Sequence, residues 1–264
     1  MTIEYSGTGD PARSLALLWR TRDKPSRRGG DLGVERIVRA AIEVADAEGL
    51  AALSMRRVAE RLGVGTMSLY THVPGKGELL DVMLDTVYGE TARPDDVPGG
   101  WRGRLTQIAR ENFALYLRHP WLLQVATTRP PLGPQVTAKY EYELRAVDGI
   151  GLTDLEMDAV VTLVTGYVHG AVRGAVEAAQ AAARTGMTDE QWWQAHAPYL
   201  DTVLDPRRFP LAARVGTAAG QEYQAATDPD RAFAFGLARI LDGVEVLLRD
   251  RDTTGGNTRS ASDR

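Results

Sequence analysis

The stretch SMRRVAERLGVGTMSLYTHVPGKGELL, beginning at Ser54, sets two very short helical patterns around the tripeptide GVG and stops at PGK. Ser54 is a good N-cap. Met55, Val58, Ala59 and Leu62 recur at helical spacing, and Gly63 is a natural closing residue. After GVG, Thr66 to His72 form a second short helix that Pro74 and Gly75 end. Two short helices joined by a tight glycine turn describe a helix-turn-helix, in which the first helix braces the second and the second enters a DNA major groove. Shortness then has a cause. A helix that presents its exposed face to base edges needs only a turn or two, with small polar and aromatic side chains where a free-standing helix would carry Glu and Lys. Leu69 and Val73, four apart, anchor it to the core. Thr66, Ser68, Thr71 and His72 project outward, and Tyr70 is suited to a phosphate bond or to packing on a sugar. The alternative is a helical corner whose Tyr and His merely cover a core edge.

The flanking sequence continues in helices. VERIVRAAIEVADAEG places Val34, Ile37, Val38, Ala41, Ile42 and Ala45 on one face and ends at Gly49. A further helix from about Gly77 to Tyr88 buries Leu79, Leu80, Met83, Leu84 and Val87. TARPDDVPGG, from Thr91 to Gly100, is a linker by composition. Beyond it, segments near Trp101 to His119, Pro134 to Gly149, Thr153 to Arg184, Asp189 to Leu204 and Pro229 to Asp250 show apolar residues three and four apart. No strand alternation persists, so the expected fold is all-α. The expected division is a flexible basic arm at 1–32 that includes a short helix near Ser14 to Trp19, a three-helix DNA-binding domain at 33–90, a larger helical regulatory and dimerisation domain at 91–250, and a disordered tail at 251–264.

The run from Glu35 to Leu84, with VAERLGV followed by LYTHVPGK, resembles the DNA-binding domain of the tetracycline-repressor (TetR) family. In that family the starts of the second and fourth helices and the length of the third contact DNA. The matching positions are Ser54, Met55 and Arg56, then Thr66, Met67, Ser68, Tyr70, Thr71 and His72, then Lys76. Arg56 and Lys76 suit phosphate or guanine, and Lys76 stands at a helix N-terminus, itself favourable for phosphate. Gly65 and Thr71 are smaller than the residues several members carry there. The arm resembles N-terminal extensions of some members, in which Arg20, Arg22, Lys24, Arg27 and Arg28 either follow the DNA backbone and minor groove or form a solubilising tail.

Residues 101 to 250 resemble the family's helical C-terminal domain at RHPWLL, RPPLGP and FAFGLARILDGVEVLL. The resemblance implies a small-molecule effector and a homodimer formed through two helices per subunit. VTGYVHGAVRGAVEA spaces Gly166, Gly170 and Gly174 four apart, which allows close helix contact, while His169, Arg173 and Glu177 argue against a membrane span. The last helix offers Phe233, Leu237, Ile240, Leu241, Val244, Leu247 and Leu248 as an apolar face. Both features suit either a dimer interface or packing within the chain. Aromatic and polar residues among apolar helices nominate Phe113, Trp121, Tyr167, His169, Arg173 and Trp193 as pocket lining, with core or interface as the alternative.

Charge agrees with a DNA-reading end. Pro11 to Lys76 carries 12 Lys/Arg against 7 Asp/Glu, a surplus of 5 in a chain of net charge −4. With no cysteine, thiolate catalysis, thiolate metal sites and disulfides are excluded. His72, His119, His169 and His196 have no metal-ligand spacing, and neither a phosphate loop nor a serine elbow occurs. The expectation is therefore a cytoplasmic regulator without cofactor, metal or catalytic residues, partnered by double-stranded operator DNA. A ligand-independent regulator or an activator is the alternative within the same family.

Overall fold

The computed structural model describes residues 3–20, 32–126 and 128–259, with the backbone alone for 252–259. Two compact units divide the chain, Met1–Thr165 with Leu247–Arg264, and Gly166–Val246. The domain boundary expected near residue 90 lies inside the first.

The first unit opens with a short strand, β1 (Glu4–Tyr5), and a helix, α1 (Pro11–Leu18). Asp10 caps α1 by accepting from the Arg13 N–H at 2.9 Å. Next come α2 (Val34–Glu48), α3 (Met55–Leu62), α4 (Thr66–Tyr70) and α5 (Lys76–Tyr88), with a 3-10 turn at Leu50–Ala52. Helix α2 buries Val34, Ile37, Val38, Ala41, Ile42 and Ala45 and packs on α3 and α5. Helix α5 is enclosed further, burying Leu79, Leu80, Val82, Met83, Leu84 and Val87 together with Glu78, Asp81 and Asp85.

Buried carboxylates are tolerable only when hydrogen-bonded. Asp81 accepts from the Gly7 N–H at 2.9 Å. Asp85 accepts from the Gln135 and Val136 N–H groups at 3.0 and 2.9 Å, in the first turn of α7 (Pro134–Arg145). Burial pushes both carboxyls above their ordinary range, and these backbone donors oppose the shift. Between α5 and α7 lie α6 (Gly100–Arg118), a 3-10 turn at Pro120–Gln124, and a second short strand, β2 (Val125–Ala126), paired parallel with β1.

Helix α8 (Asp154–Thr185) starts in the first unit and continues into the second. Among the described residues it is the helix long and apolar enough to cross a membrane by length and composition. Val160, Val161, Val164, Val168, Val172 and Val176 are buried at helical spacing, the pattern of a core helix. The second unit adds α9 (Asp189–Val203), α10 (Pro210–Tyr223) and most of α11 (Pro229–Arg259). Within it the Tyr167 hydroxyl donates to the Ala232 and Phe233 carbonyls at 2.9 and 3.0 Å, and the two aromatic rings stack.

Two expectations change. Residues 3–20 of the supposed arm are folded, because β1 finds a strand partner and α1 packs on α5. Arg20 pairs with Glu35 at 3.1 Å, while Arg22, Lys24, Arg27 and Arg28 lie outside the described residues. The tail is not disordered from 251, since α11 continues to Arg259. There the Arg251 side chain bonds the Gly151 carbonyl and Glu156, fixing the helix beyond its apolar part. Of the apolar face nominated on the last helix, Leu241 and Val244 are buried within the single chain, while Leu247 is 38% exposed.

Candidate nucleic-acid interface

Helix α3 is fixed at both ends by its sequence. The Ser54 hydroxyl accepts from the Arg57 N–H at 3.1 Å, and Gly63 closes the helix at φ 68°, the left-handed region that suits glycine. The α3 register is tied to α2 by Arg57 on Glu48 and Arg61 on Glu43, at 2.6 and 2.9 Å. The hydrogen bond from Arg57 holds the Glu48 carboxyl below its ordinary range.

Helix α4 follows with its back to the core. Leu69 and Val73 are wholly buried, and the Val73 N–H returns to the Leu69 carbonyl at 2.9 Å, extending the turn through His72. Met67, Ser68, Tyr70 and Thr71 are exposed, and Thr66 and His72 are half-buried. Met67 is 77% exposed, too much for a core residue and well placed for apolar contact such as a thymine methyl. Thr71 donates its hydroxyl to the Ser68 carbonyl at 2.7 Å, leaving its oxygen lone pairs outward as acceptors.

The flanking positions divide. Arg56 is exposed and pairs loosely along the helix with Glu60, at 2.9 Å. Lys76, the first residue of α5, holds the Glu4 carboxylate at 2.8 Å. Ser54 serves as the cap described above. Met55 is buried beside Val58 and Ala59, so it braces α3 from inside. Its place on the apolar face of α3 already gave that signal.

A junction that the sequence did not reveal lies elsewhere in the same unit. His119 is buried, with Nδ1 2.8 Å from Asp46 of α2 and Nε2 3.0 Å from Glu90 after α5. Trp121 Nε1 donates to the same Asp46 oxygen at 2.8 Å, and Arg118 donates to Glu90 at 2.9 Å. An ionised carboxylate only accepts, so a ring nitrogen that carries a proton donates to the carboxylate it faces. Burial raises the Glu90 carboxyl, but the bonds from His119 and Arg118 outweigh it and hold the group below its ordinary range. This network joins the first helix of the trihelical region to the end of α6.

The six pocket candidates divide between the two units. Phe113 and Trp121 are buried in the first unit, and the Trp121 indole is committed to Asp46. The other four belong to the second unit. Tyr167 bonds the α11 backbone, and Trp193 packs so tightly on Gly220 that an added Cβ there would sit 2.4 Å from its ring. Arg173 is exposed. Burial first, then the nearby Arg173 charge, holds the His169 imidazole below its usual range.

Comparison with known proteins follows the same division. Residues 37–83 match the model for bacterial regulatory proteins of the tetR family, and residues 93–248 match that for the tetracyclin repressor-like C-terminal domain. The HTH-type transcriptional repressor DrrR1 of Streptomyces coeruleorubidus is 50% identical over 252 residues, which is 95% of this chain and 91% of that protein. Apo ActR from Streptomyces coelicolor is 30% identical with a TM-score of 0.69, over 84% of this chain and 99% of ActR. ActR in complex with actinorhodin matches with a TM-score of 0.66 at 30% identity, over 81% of this chain and 95% of that one. With its trihelical α2–α4 region, its enclosed α5 and both family domains present, this chain belongs to the TetR family of helix-turn-helix transcriptional regulators.

Proposed function

We propose that the protein is a homodimeric transcriptional repressor that reads a palindromic operator through α4 and is released by a small, largely apolar organic ligand. The observation that carries the DNA-reading half is the outward face of α4, an exposed Met, Ser, Tyr and Thr set on a wholly buried Leu69–Val73 anchor. On this reading Thr66, Met67, Ser68, Tyr70, Thr71 and His72 address the major groove, and Arg56 and Lys76 take phosphates. Residues 33–90 are the DNA-reading part and 91–250 the regulatory part. One such helix covers few base pairs, so two copies about a two-fold axis are the economical way to a specific site. Repression is supported by the name of the 50%-identical relative DrrR1, and a ligand by the ActR complex with actinorhodin. The protein acts in the cytoplasm, where its DNA lies, and works by binding rather than catalysis.

The experiment is selection of bound fragments from genomic DNA, followed by anisotropy titrations on the enriched duplex. Tyr70→Ala should weaken operator binding by about 1–3 kcal/mol while leaving random DNA nearly unaffected. Failure to enrich any common site would sink the α4 reading. For the ligand, candidates that raise the melting temperature are titrated against the operator complex. Release by roughly 1–3 kcal/mol of coupling is expected, and by linkage operator DNA must weaken the ligand equally.

A further inference from the structure

The segment from Glu4 to Arg20 is a strap fastened across the start of α5. Its strand β1 pairs with Val125–Ala126, the Ser6 hydroxyl donates to the Arg129 carbonyl, and Trp19 Nε1 donates to the Leu132 carbonyl at 2.9 Å. On the α5 side, the Gly7 N–H donates to Asp81 at 2.9 Å and Glu4 holds Lys76 at 2.8 Å. The fit is close enough that a Cβ on Gly77 would sit 2.6 Å from the Thr8 hydroxyl. Lys76 and Asp81 lie in the stretch matched as the DNA-binding domain, whereas residues 125–132 lie in the stretch matched as the C-terminal domain. The strap therefore joins the two.

The chemistry at its tip bears on DNA binding. An ammonium at the first turn of a helix, reinforced by unpaired backbone N–H groups, is a site for an anionic oxygen. A phosphate oxygen and a carboxylate oxygen meet that description equally. We propose that Glu4 is an internal stand-in for an operator phosphate: while β1 is docked on β2, the Glu4 carboxylate occupies Lys76 and lowers DNA affinity, and undocking the strap frees the lysine. This rests on the reading that Lys76 takes a phosphate. Any change that shifts residues 125–132 then alters the grip on DNA through β1. The reverse holds by linkage, because operator binding must favour the undocked strap.

The pair is partly exposed, with side-chain accessibilities of 38% for Lys76 and 33% for Glu4, so its effect is modest. Full-length Glu4→Gln, which removes the charge and keeps the shape, should bind the operator duplex about two- to five-fold more tightly near 0.15 M salt. Its log–log salt slope should steepen by up to about 0.9, the contribution of one phosphate contact. Lys76→Ala should weaken binding, and the double variant should match Lys76→Ala alone. Glu4→Gln that binds no more tightly than the unmutated chain overturns the proposal. So does an equal gain in the Lys76→Ala background, which would be a general effect of charge. Lys76→Ala with unchanged affinity would remove the phosphate reading itself, and the inference with it. Weakening by Lys76→Ala beside a silent Glu4→Gln would remove the inference alone.

Discussion

The trihelical region and the α9–α10 stretch are both helical and both rich in apolar residues, yet they treat those residues in opposite ways. In α2–α5 nearly every large aliphatic side chain is buried, down to the wholly enclosed Ile37, Val58, Leu69, Leu79 and Met83. In α9 no residue is buried, and in α10 only Gly220 is. Tyr199, Val203 and Leu211 are 75%, 77% and 67% exposed. Helical spacing identifies which side chains share a face, but it says nothing of what covers that face. The trihelical region supplies its own cover. The α9–α10 stretch does not.

The sharpest test of that contrast is a matched pair of truncations. Leu69→Ala should cost about 2–5 kcal/mol of unfolding free energy, since a buried leucine loses both its transfer energy and its packing. Leu211→Ala should stay within about 0.5 kcal/mol under dilute conditions, as surface changes generally do. Denaturant titrations over a range of protein concentrations measure both. A Leu211→Ala cost that approaches the Leu69→Ala cost, and grows with concentration, would mean that α10 is covered by a second copy.

A smaller effect separates two histidines. His119→Leu leaves Asp46 and Glu90 facing an apolar side chain and should cost about 1–3 kcal/mol, the penalty of stranding hydrogen-bonding groups. His196 stacks on Trp192 at 4.2 Å on the exposed side of α9, and His196→Leu should change stability by less than about 0.5 kcal/mol. Equal costs in thermal unfolding would contradict the junction described here.

The smallest effect is on pH dependence. Glu90 titrates below its ordinary 4.5 in the folded chain. A depressed carboxyl contributes stability that is fully present above the unfolded value and is lost as pH falls through the folded one. Glu90→Gln should therefore be less stable than the unmutated chain at neutral pH, with the difference narrowing below about pH 4.5. A gap that stays constant from neutral pH to pH 3 would show that the carboxylate's charge is not the contributor.

What could be read from the sequence was what is decided locally. The Ser54 cap, the Gly63 closure, the Leu69–Val73 anchor and the exposed side of α4 all follow from spacing and capping within a dozen or so neighbours. Met55 sits inside, as its spacing with Val58 and Ala59 expects. The contacts that escaped are long-range and polar. No alternation announces a strand of two residues, so β1 could be found only through β2. His119 carries no sign of its partners Asp46 and Glu90, which come from separate elements. Helix α10 escaped because only Leu211 and Val215 stand out as large aliphatic residues in its Ala- and Gly-rich run, and it buries only Gly220.

The strap also imposes an order of events during synthesis. Ser6 bonds a carbonyl 123 residues further along the chain, whereas the trihelical region needs nothing beyond Tyr88 to pack α2 on α3 and α5. At about 5–20 residues per second on the ribosome, β1 waits roughly 6–25 s for β2 to be made. Lys76 is made partway through that wait, and for roughly the last 2–10 s it stands uncovered because β2 does not yet exist. The newly made chain should therefore be at its most adhesive toward nucleic acid before it is complete, and closing the strap is the step that ends this phase.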